Sequence, residues 1–292
     1  LNRAAAGTIA LVDVNGPKLD GEVKDLCQGS AFHPRVRVVG STDYAITGGS
    51  RLVVVTAGAA RKPTETRLDL VKKNCGILKA IIPKVLEHSP DAAICIVSNP
   101  CDVMTAVANK VAGPTVPPGR IFGSGTNLDS SRLRSLIAAS LDIDTKSVHG
   151  YIVGEHGESC VPVWSSVRIG GVPLLPYGEE PGTPHMEMHA EVVKTSTDVI
   201  RLKGYTNWAV GLSVTHIATC VLDDTRSILP VSTCVRGYGG VKEDVYLSLP
   251  CVVGASGVVQ MVEMHLTDHE RKLFHKSADK VWDVQKHIWD QV

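Results

Sequence analysis

The chain lacks several features that would assign it to particular classes of protein. Its 30 basic and 30 acidic side chains cancel, so no excess charge indicates nucleic acid or an anionic membrane as a partner. No apolar run reaches the roughly 18 residues that a membrane-spanning helix needs. None of the eight cysteines stands in a CxxC pair, which disfavours structural zinc and is typical of free thiols in a reducing compartment. We therefore expect a cytoplasmic protein that binds neither nucleic acid nor a membrane.

Four short runs rich in valine and isoleucine recur in the first hundred residues. They are TIALVDV (8–14), RVRVVG (35–40), RLVVVTAG (51–58) and AAICIVSNP (92–100). The last two are nearly unbroken by polar residues, as in strands that a parallel sheet buries on both faces. Between them, apolar residues recur at helical spacing from Leu68 to Val85. This order of strand, helix and strand predicts a doubly wound α/β domain.

The pattern of predicted helices and strands changes after about residue 123. A helix is predicted over NLDSSRLRSLIAASL, strand-like pieces with glycine turns follow, and GEEPGTPH (178–185) is predicted to be an exposed loop. Further helices are predicted over AEVVKTSTDVIRLKG, NWAVGLSVTHIATCVLDD and SADKVWDVQKHIW. We therefore expect a dinucleotide-binding domain over residues 1–123 and an α+β substrate domain over residues 124–292.

Two arginines follow the predicted strand at 51–58. Arg61 and Arg67 lie six positions apart in the stretch AGAARKPTETRLDL. Two guanidinium groups could bind the two carboxylates of one small substrate. A solvated loop explains the same residues when the stretch is taken alone. Both interpretations remain open at this point.

Three polar residues in the second half could form a catalytic group. Asp129 and Arg132 are three apart on a predicted helix, so they share one face. One interpretation is a surface ion pair that contributes little to stability. The other is that both side chains face a cleft, where Arg132 binds a carboxylate and Asp129 orients a histidine. His156 could be that histidine, because it lies between glycines after an apolar strand, where the imidazole is left clear.

Other polar residues give weaker signals. Asp13 ends a predicted strand, where a carboxylate can accept hydrogen bonds from an adenosine ribose and would repel a 2′-phosphate. Asn99 ends another strand, at the edge where parallel sheets bind ligands. Either could be an ordinary turn residue. His185 and His189 have the helical spacing of metal ligands, but the glutamate of an HExxH motif is misplaced, so no metal is predicted.

Taken together, these segments resemble the L-lactate/malate dehydrogenase family. Within that family, the sequence as a whole is most similar to the eukaryotic L-lactate dehydrogenases. The resemblance extends from residue 1 to the C-terminal helix and rests on ALVDV, VVVTAGA, ETRLDLV, IVSNPCDVMT, GSGTNLDSSRLR, GEHGESCVPVWS, KGYTNWAVGLS and PVSTCVRG. It implies a Rossmann-type fold, NAD as the cofactor and a small 2-keto or 2-hydroxy acid as the substrate. It also implies a homo-oligomer, either dimer or tetramer, with a role in carboxylic acid metabolism such as glycolysis.

The resemblance further implies roles for individual residues. His156 matches the proton donor and acceptor, held by Asp129, and Arg132 matches the group that binds the C1 carboxylate of the substrate. Arg67 matches the loop arginine that polarises the reacting carbonyl, and closure of the loop over residues 59–67 would exclude water. Asn99 and Thr206 match residues that line the substrate. The positions matched to the cofactor site are Asp13, Thr56, Ala57, Gly58, Val97, Asn99 and Val210.

Arg61 departs from the lactate dehydrogenase pattern. Lactate dehydrogenases usually carry glutamine at this specificity position, and malate dehydrogenases carry arginine. Thr206, in contrast, matches the residue that lactate dehydrogenases carry on the opposite side of the substrate pocket from this position. We therefore expect a lactate dehydrogenase-like protein whose specificity leans towards oxaloacetate and malate, with ordinary action on pyruvate and lactate as the alternative.

The second departure is the absence of a GxGxxG-type turn ahead of ALVDV. The family opens with a strand, this turn and a helix, and the turn brings the backbone against the pyrophosphate. Loss of that strand would leave the neighbouring strands with unpaired edges. The simplest interpretation is a fragment that lacks its first ~30 residues. A complete gene product of this length would instead bind NAD weakly.

Two rival interpretations follow from these departures. A catalytically inactive member kept as a binding or structural protein is favoured by the missing turn and opposed by the intact Arg67, Asp129, Arg132 and His156. An NADP-linked reductase is disfavoured by Asp13, because its negative charge would repel the 2′-phosphate.

Overall fold

The computed structural model describes residues 6–32, 36–59 and 67–289, with the side chains of residues 67 and 68 excepted. Within these ranges the helices are α1 (Gly16–Gln28), α2 (Arg67–His88), α3 (Cys101–Ala112), α4 (Asn127–Leu141), α5 (Thr183–Lys203), α6 (Trp208–Leu222) and α7 (Asp268–Trp289). The longer strands of the first half are β1 (Thr8–Val12), β2 (Arg37–Ser41), β3 (Leu52–Val55), β4 (Ala93–Ile96) and β5 (Ile121–Gly123).

The strands of the second half follow in two groups. Five are two-residue strands, namely β6 (Val148–His149), β7 (Ile152–Val153), β8 (Val161–Pro162), β9 (Arg168–Ile169) and β10 (Val172–Pro173). Three are longer and antiparallel, namely β11 (Ser227–Cys234), β12 (Tyr246–Gly254) and β13 (Gly257–Met261).

The main sheet has six strands in the order β13-β12-β11-β5-β4-β3. Its β3, β4 and β5 are parallel, and β4 is buried at every residue, as the unbroken apolar run predicts. Helices α2 and α3 make the connections between these parallel strands, so the α/β architecture of Rossmann type is confirmed. One antiparallel pairing, between Gly123 of β5 and Ser232 of β11, joins the parallel strands to the antiparallel strands of the second half.

Strands β1 and β2 form a separate parallel pair. Strand β1 pairs only with β2, and β3 only with β4, among the residues for which the structure gives positions. One edge of β1 and one edge of β3 therefore have no strand partner there.

Two helices differ from the sequence expectations. Helix α1 was not predicted, although Asn15 caps it by accepting from the backbone N–H of Lys18 at 3.2 Å and Pro17 lies in its first turn. Helix α5 begins at Thr183, so the prediction of a loop through residue 185 was wrong at its C-terminal end. Pro184 in the first turn explains the difference, because proline is favoured there and its fixed φ suits the helix start.

All eight cysteines are free thiols, as predicted. Burial raises the pKa of most of them, including Cys75, Cys160 and Cys251, which keeps these thiols protonated. Among the described residues no helix is long and apolar enough to span a membrane. No group of three or more His, Cys, Asp or Glu side chains is arranged to hold a metal ion in the same part of the chain.

Gly125 lies in the turn between β5 and α4, with a positive φ of 53°. A Cβ at this position would lie 2.4 Å from Ser248 Oγ and 2.7 Å from the backbone nitrogen of Ser232. We expect Gly125→Ala to lower the free energy of unfolding by about 2 to 4 kcal/mol, through backbone strain and overpacking. Urea unfolding followed by circular dichroism measures it.

Gly76→Ala is the matched control. Gly76 lies inside α2 and a Cβ there would meet nothing within 4 Å, so alanine should stabilise the helix by about 0.5 to 1 kcal/mol. Equal effects of the two substitutions would show that the turn does not require glycine.

Candidate active site

The first turn of α4 is tied to the strand that leads to His156. Thr126 Oγ1 donates to the carbonyl of Ile152 at 2.5 Å, and the backbone N–H of Ile152 donates to Ser130 Oγ at 2.9 Å. The three residues that follow β7 are Gly154, Glu155 and His156. These bonds fix the start of α4 beside the loop and bring residues far apart in sequence into contact.

Asp129, Arg132 and His156 form one bonded group. His156 Nδ1 lies 2.5 Å from Asp129 Oδ2, and Arg132 Nη1 donates to Asp129 Oδ1 at 2.9 Å. The side chain of Asp129 is 7% exposed and that of His156 25% exposed. The pair of Asp129 and Arg132 is therefore not the exposed ion pair of the simpler interpretation. Its carboxylate bridges a guanidinium and an imidazole.

The two partners shift one another's pKa. Burial lowers the pKa of His156, but the charge and hydrogen bond of Asp129, with a further contribution from the charge of Asp102, outweigh it and raise the pKa to about 9. Burial raises the pKa of Asp129, but His156 and Arg132 outweigh it and hold the pKa below its ordinary value. At neutral pH the histidine is therefore a cation beside a carboxylate, and its Nε2–H remains for an external acceptor.

Sequence reasoning missed a second carboxylate at this histidine. Asp102, in the first turn of α3, accepts from the backbone N–H of His156 at 2.7 Å. The only signal in the sequence was an acidic residue at a helix start, where helix capping is the usual explanation. The contact spans 54 positions, so no local pattern could have indicated it.

Five of the seven predicted cofactor positions follow the carboxyl ends of the parallel strands β3 and β4. Thr56, Ala57 and Gly58 are exposed just after β3, and Val97 is half-buried just after β4. Ser98 Oγ donates to the carbonyl of Ala57 at 2.6 Å, which joins the two strand ends. The structure thus brings these positions to one edge of the sheet.

Asn74 on α2 connects the same strand ends. Its Nδ2 donates to the carbonyl of Asn99 at 2.8 Å and its Oδ1 accepts from the N–H of Ala59 at 2.8 Å. These bonds leave the side chain of Asn99 exposed at the end of β4. Asn74 was not singled out in the sequence, since a polar residue on a helix face carries no distinctive pattern.

The remaining predicted residues lie on other elements or outside the described residues. Asp13 is exposed immediately after β1, Thr206 is exposed between α5 and α6, and Val210 is half-buried on α6. Helix α6 is joined to α4 by a bond from Asn127 Nδ2 to Ser213 Oγ at 2.8 Å. Arg61 lies outside the described residues, and Arg67 is described only as the first residue of α2.

Comparison with known proteins decides the family. The lactate/malate dehydrogenase NAD binding domain matches residues 1–123, and the alpha/beta C-terminal domain of the same family matches residues 126–290. The chain belongs to the lactate/malate dehydrogenase family. The L-lactate dehydrogenase A chain of Columba livia is 47% identical over 99% of this chain and 88% of its own length. The A chain of Gallus gallus is 46% identical with the same coverage, and the L-lactate dehydrogenase of Petromyzon marinus is 45% identical over 99% of this chain and 87% of its own length.

NAD is the cofactor of this lactate/malate dehydrogenase family member, and when bound it supplies or accepts a hydride. The carboxylate after β1 fits such a group. Asp13 Oδ1 accepts one bond, from the N–H of Asn15 at 2.8 Å, and the exposed carboxylate has further lone pairs for ribose hydroxyls. Residues 1–7 contain no GxGxxG turn for the pyrophosphate.

We expect Asp129→Asn to lower the pKa of His156 from about 9 by at least about one unit, because the imidazolium loses its buried counter-charge. Histidine ring signals followed by NMR across pH measure it, and His156→Gln identifies the resonance. Asp198→Asn is the control, since Asp198 pairs with Lys194 and Arg201 on α5 instead. An unchanged His156 titration in Asp129→Asn would contradict the pairing.

Proposed function

We propose that the chain is an NAD-dependent L-2-hydroxy-acid dehydrogenase that reversibly transfers a hydride between NADH and a small 2-keto acid. The observation that carries the proposal is the His156–Asp129 contact of 2.5 Å with Arg132 on the same carboxylate. This group supplies a proton donor with a fixed orientation next to a cation that can bind a carboxylate.

His156 acts as the acid in the reducing direction. Its Nδ1–H is held by Asp129, which leaves its Nε2–H to donate a proton to the C2 oxygen; bound NADH would supply the hydride to C2. In the reverse direction the neutral imidazole accepts the hydroxyl proton. Asp129 stays ionised throughout, because the charge of its partners holds its pKa low.

Arg132 binds the C1 carboxylate of the substrate. One of its Nη1 protons is used by Asp129, and a guanidinium has five N–H donors, so others remain for the carboxylate. We assign Arg67 to the polarisation of the reacting carbonyl, Asn99 and Thr206 to the substrate walls, and Val97 and Val210 to the nicotinamide side. These roles rest on the family match of each position.

We further propose that Arg61 makes the enzyme prefer oxaloacetate and malate as substrates. A loop closed over pyruvate would bury the Arg61 guanidinium against a methyl group, and an uncompensated buried charge costs on the order of 3–5 kcal/mol. Each ~1.4 kcal/mol is a factor of ten, so a preference of roughly a hundredfold is expected. Action on pyruvate and lactate is the second candidate, favoured by Thr206 and by relatives named L-lactate dehydrogenase.

We also propose a homo-oligomer, a dimer or tetramer, in the cytoplasm, and a division of the chain into functional domains near residue 123. The eight free thiols support a reducing location. The two family matches, which end at residue 123 and begin at residue 126, support the division.

We expect kcat/KM for keto-acid reduction to be flat in the neutral range and to fall as pH rises through about 9, where His156 loses its proton. His156→Gln should reduce kcat/KM by a factor of about 10² to 10⁴. The NADH absorbance assay measures both. His149→Gln, at an exposed histidine on β6, is the control and should behave as wild type. No NADH oxidation by the wild-type chain would favour an inactive family member.

We expect Arg61→Gln to shift the ratio of kcat/KM for oxaloacetate and pyruvate towards pyruvate by at least about tenfold, because the charge that opposes a methyl group is removed. Lys62→Gln is a charge-matched neighbour and should leave the ratio unchanged. If kcat/KM of the wild-type chain is about tenfold higher for pyruvate than for oxaloacetate, the proposed malate specificity is wrong and lactate dehydrogenase activity remains as the function.

A further inference from the structure

A second carboxylate holds the loop that carries His156. Asp102 is 2% exposed, and its Oδ2 accepts from the backbone N–H of His156 at 2.7 Å. Its Oδ1 accepts from Ser232 Oγ at 2.7 Å. The side chain therefore joins three elements, namely α3, the loop after β7 and β11. Both of its oxygens are engaged with donors from the second half of the chain.

A charge at this position needs an explanation. An isolated carboxylate is costly to bury, and a neutral amide of the same shape could also bond both partners, by accepting from the N–H of His156 and donating to Ser232 Oγ. The charge is placed beside a histidine that is also held by Asp129 at 2.5 Å. The imidazolium is thus close to two buried carboxylates, and only one of them bonds its ring.

The groups around Asp102 are few. From α3 itself comes the buried thiol of Cys101, and from the loop come His156 and Glu155. Glu155 faces Lys280 of α7 at 3.2 Å, and β11 contributes Ser232, which does not titrate. Beyond His156 lies the pair of Asp129 and Arg132 on α4. A small cavity bordered by α3, the loop and α7 is lined by Pro100, Asp102, Val103, Glu155, His156, Val281 and Val284.

We propose that Asp102 is a positioning residue for His156, which fixes the backbone of its loop and adds a second negative charge that stabilises the imidazolium. The consequence for turnover rests on the proposed dehydrogenase function, whereas the effect on the histidine does not. Electrostatics support the proposal. Burial raises the pKa of Asp102 to about 6, against the opposing effects of Ser232 and His156, so the residue is charged at neutral pH and becomes neutral in mild acid.

Two substitutions separate charge from position. In Asp102→Asn the amide oxygen can accept from the His156 N–H while the amide N–H donates to Ser232 Oγ, so both bonds remain and the charge is lost. Asp102→Ala loses both. We expect Asp102→Asn to lower the pKa of His156 by ~0.5 to 1 unit and to move the alkaline limb of kcat/KM by the same amount. At pH 6 its turnover should change by less than about threefold, whereas Asp102→Ala should lose at least about tenfold at every pH.

Glu270→Gln is the matched control. Glu270 is a buried carboxylate at the start of α7 that accepts from the N–H and Oγ of Ser165, away from His156. Its substitution should leave the His156 titration in place. If Asp102→Asn likewise leaves the His156 titration and the alkaline limb in place, Asp102 is a structural residue only and the proposal fails.

The wild-type chain provides a test that needs no variant to fold. The backbone N–H of His156 bonds the carboxylate of Asp102, so its amide resonance should move with an inflection near pH 6, and the move should be absent in Asp102→Asn where that variant folds. A His156 amide that shows no inflection anywhere from the ordinary pKa of an aspartate, about 3.9, up to neutral pH overturns the proposal. Since NMR reads the histidine directly, a chain that titrates as expected but oxidises no NADH would refute the proposed function and leave the positioning role in place.

Discussion

The site depends on one buried contact, between Asp129 and the ring of His156. An unpaired carboxylate at 7% exposure would be strongly destabilising, and so would an imidazolium in the same surroundings. Each charge is stable only because the other is present, with Arg132 satisfying the second oxygen of the carboxylate. The start of α4 adds its own favourable field for a negative side chain in the first turn. The orientation of the histidine ring, and most of the stabilisation of its protonated form, therefore follow from this pair.

Close packing of the elements around the site is achieved with glycine and serine. At three places a Cβ on a glycine would lie within 3 Å of a serine side chain, in the pairs Gly123–Ser232, Gly125–Ser248 and Gly154–Ser277. The same serines bond groups that hold the site: Ser232 bonds Asp102, Ser248 the N–H of Thr126 and Ser277 the N–H of Glu155. Small side chains permit the contact and hydroxyls satisfy the polar groups that it buries.

The sequence predicted those parts of the site that have a local signature. Asp129 and Arg132 share a helix face, and His156 lies between glycines after an apolar strand, so each was recognisable from its neighbours. Asp102 and Asn74 were not, because their partners lie 54 and 25 positions away and only the packed fold brings them together. The parallel strands were recognisable from unbroken apolar runs. The starts of α1 and α5 were not, because an asparagine cap and a first-turn proline are also common in turns outside helices.

The three titrating groups of the site stabilise the fold over different pH ranges. Because the pKa of His156 is raised from 6.5 to about 9, its contribution is full below pH 6.5 and is lost as pH rises through 9. The pKa of Asp129 is lowered, so its contribution is full above its ordinary value of 3.8 and is lost in stronger acid. The pKa of Asp102 is raised, so its dependence on pH is opposite to that of Asp129. Its contribution to stability is full below pH 3.8 and is lost as pH rises through about 6. At neutral pH a charged Asp102 therefore opposes folding, and the same charge lies close to the imidazolium of His156, as the proposed positioning role requires.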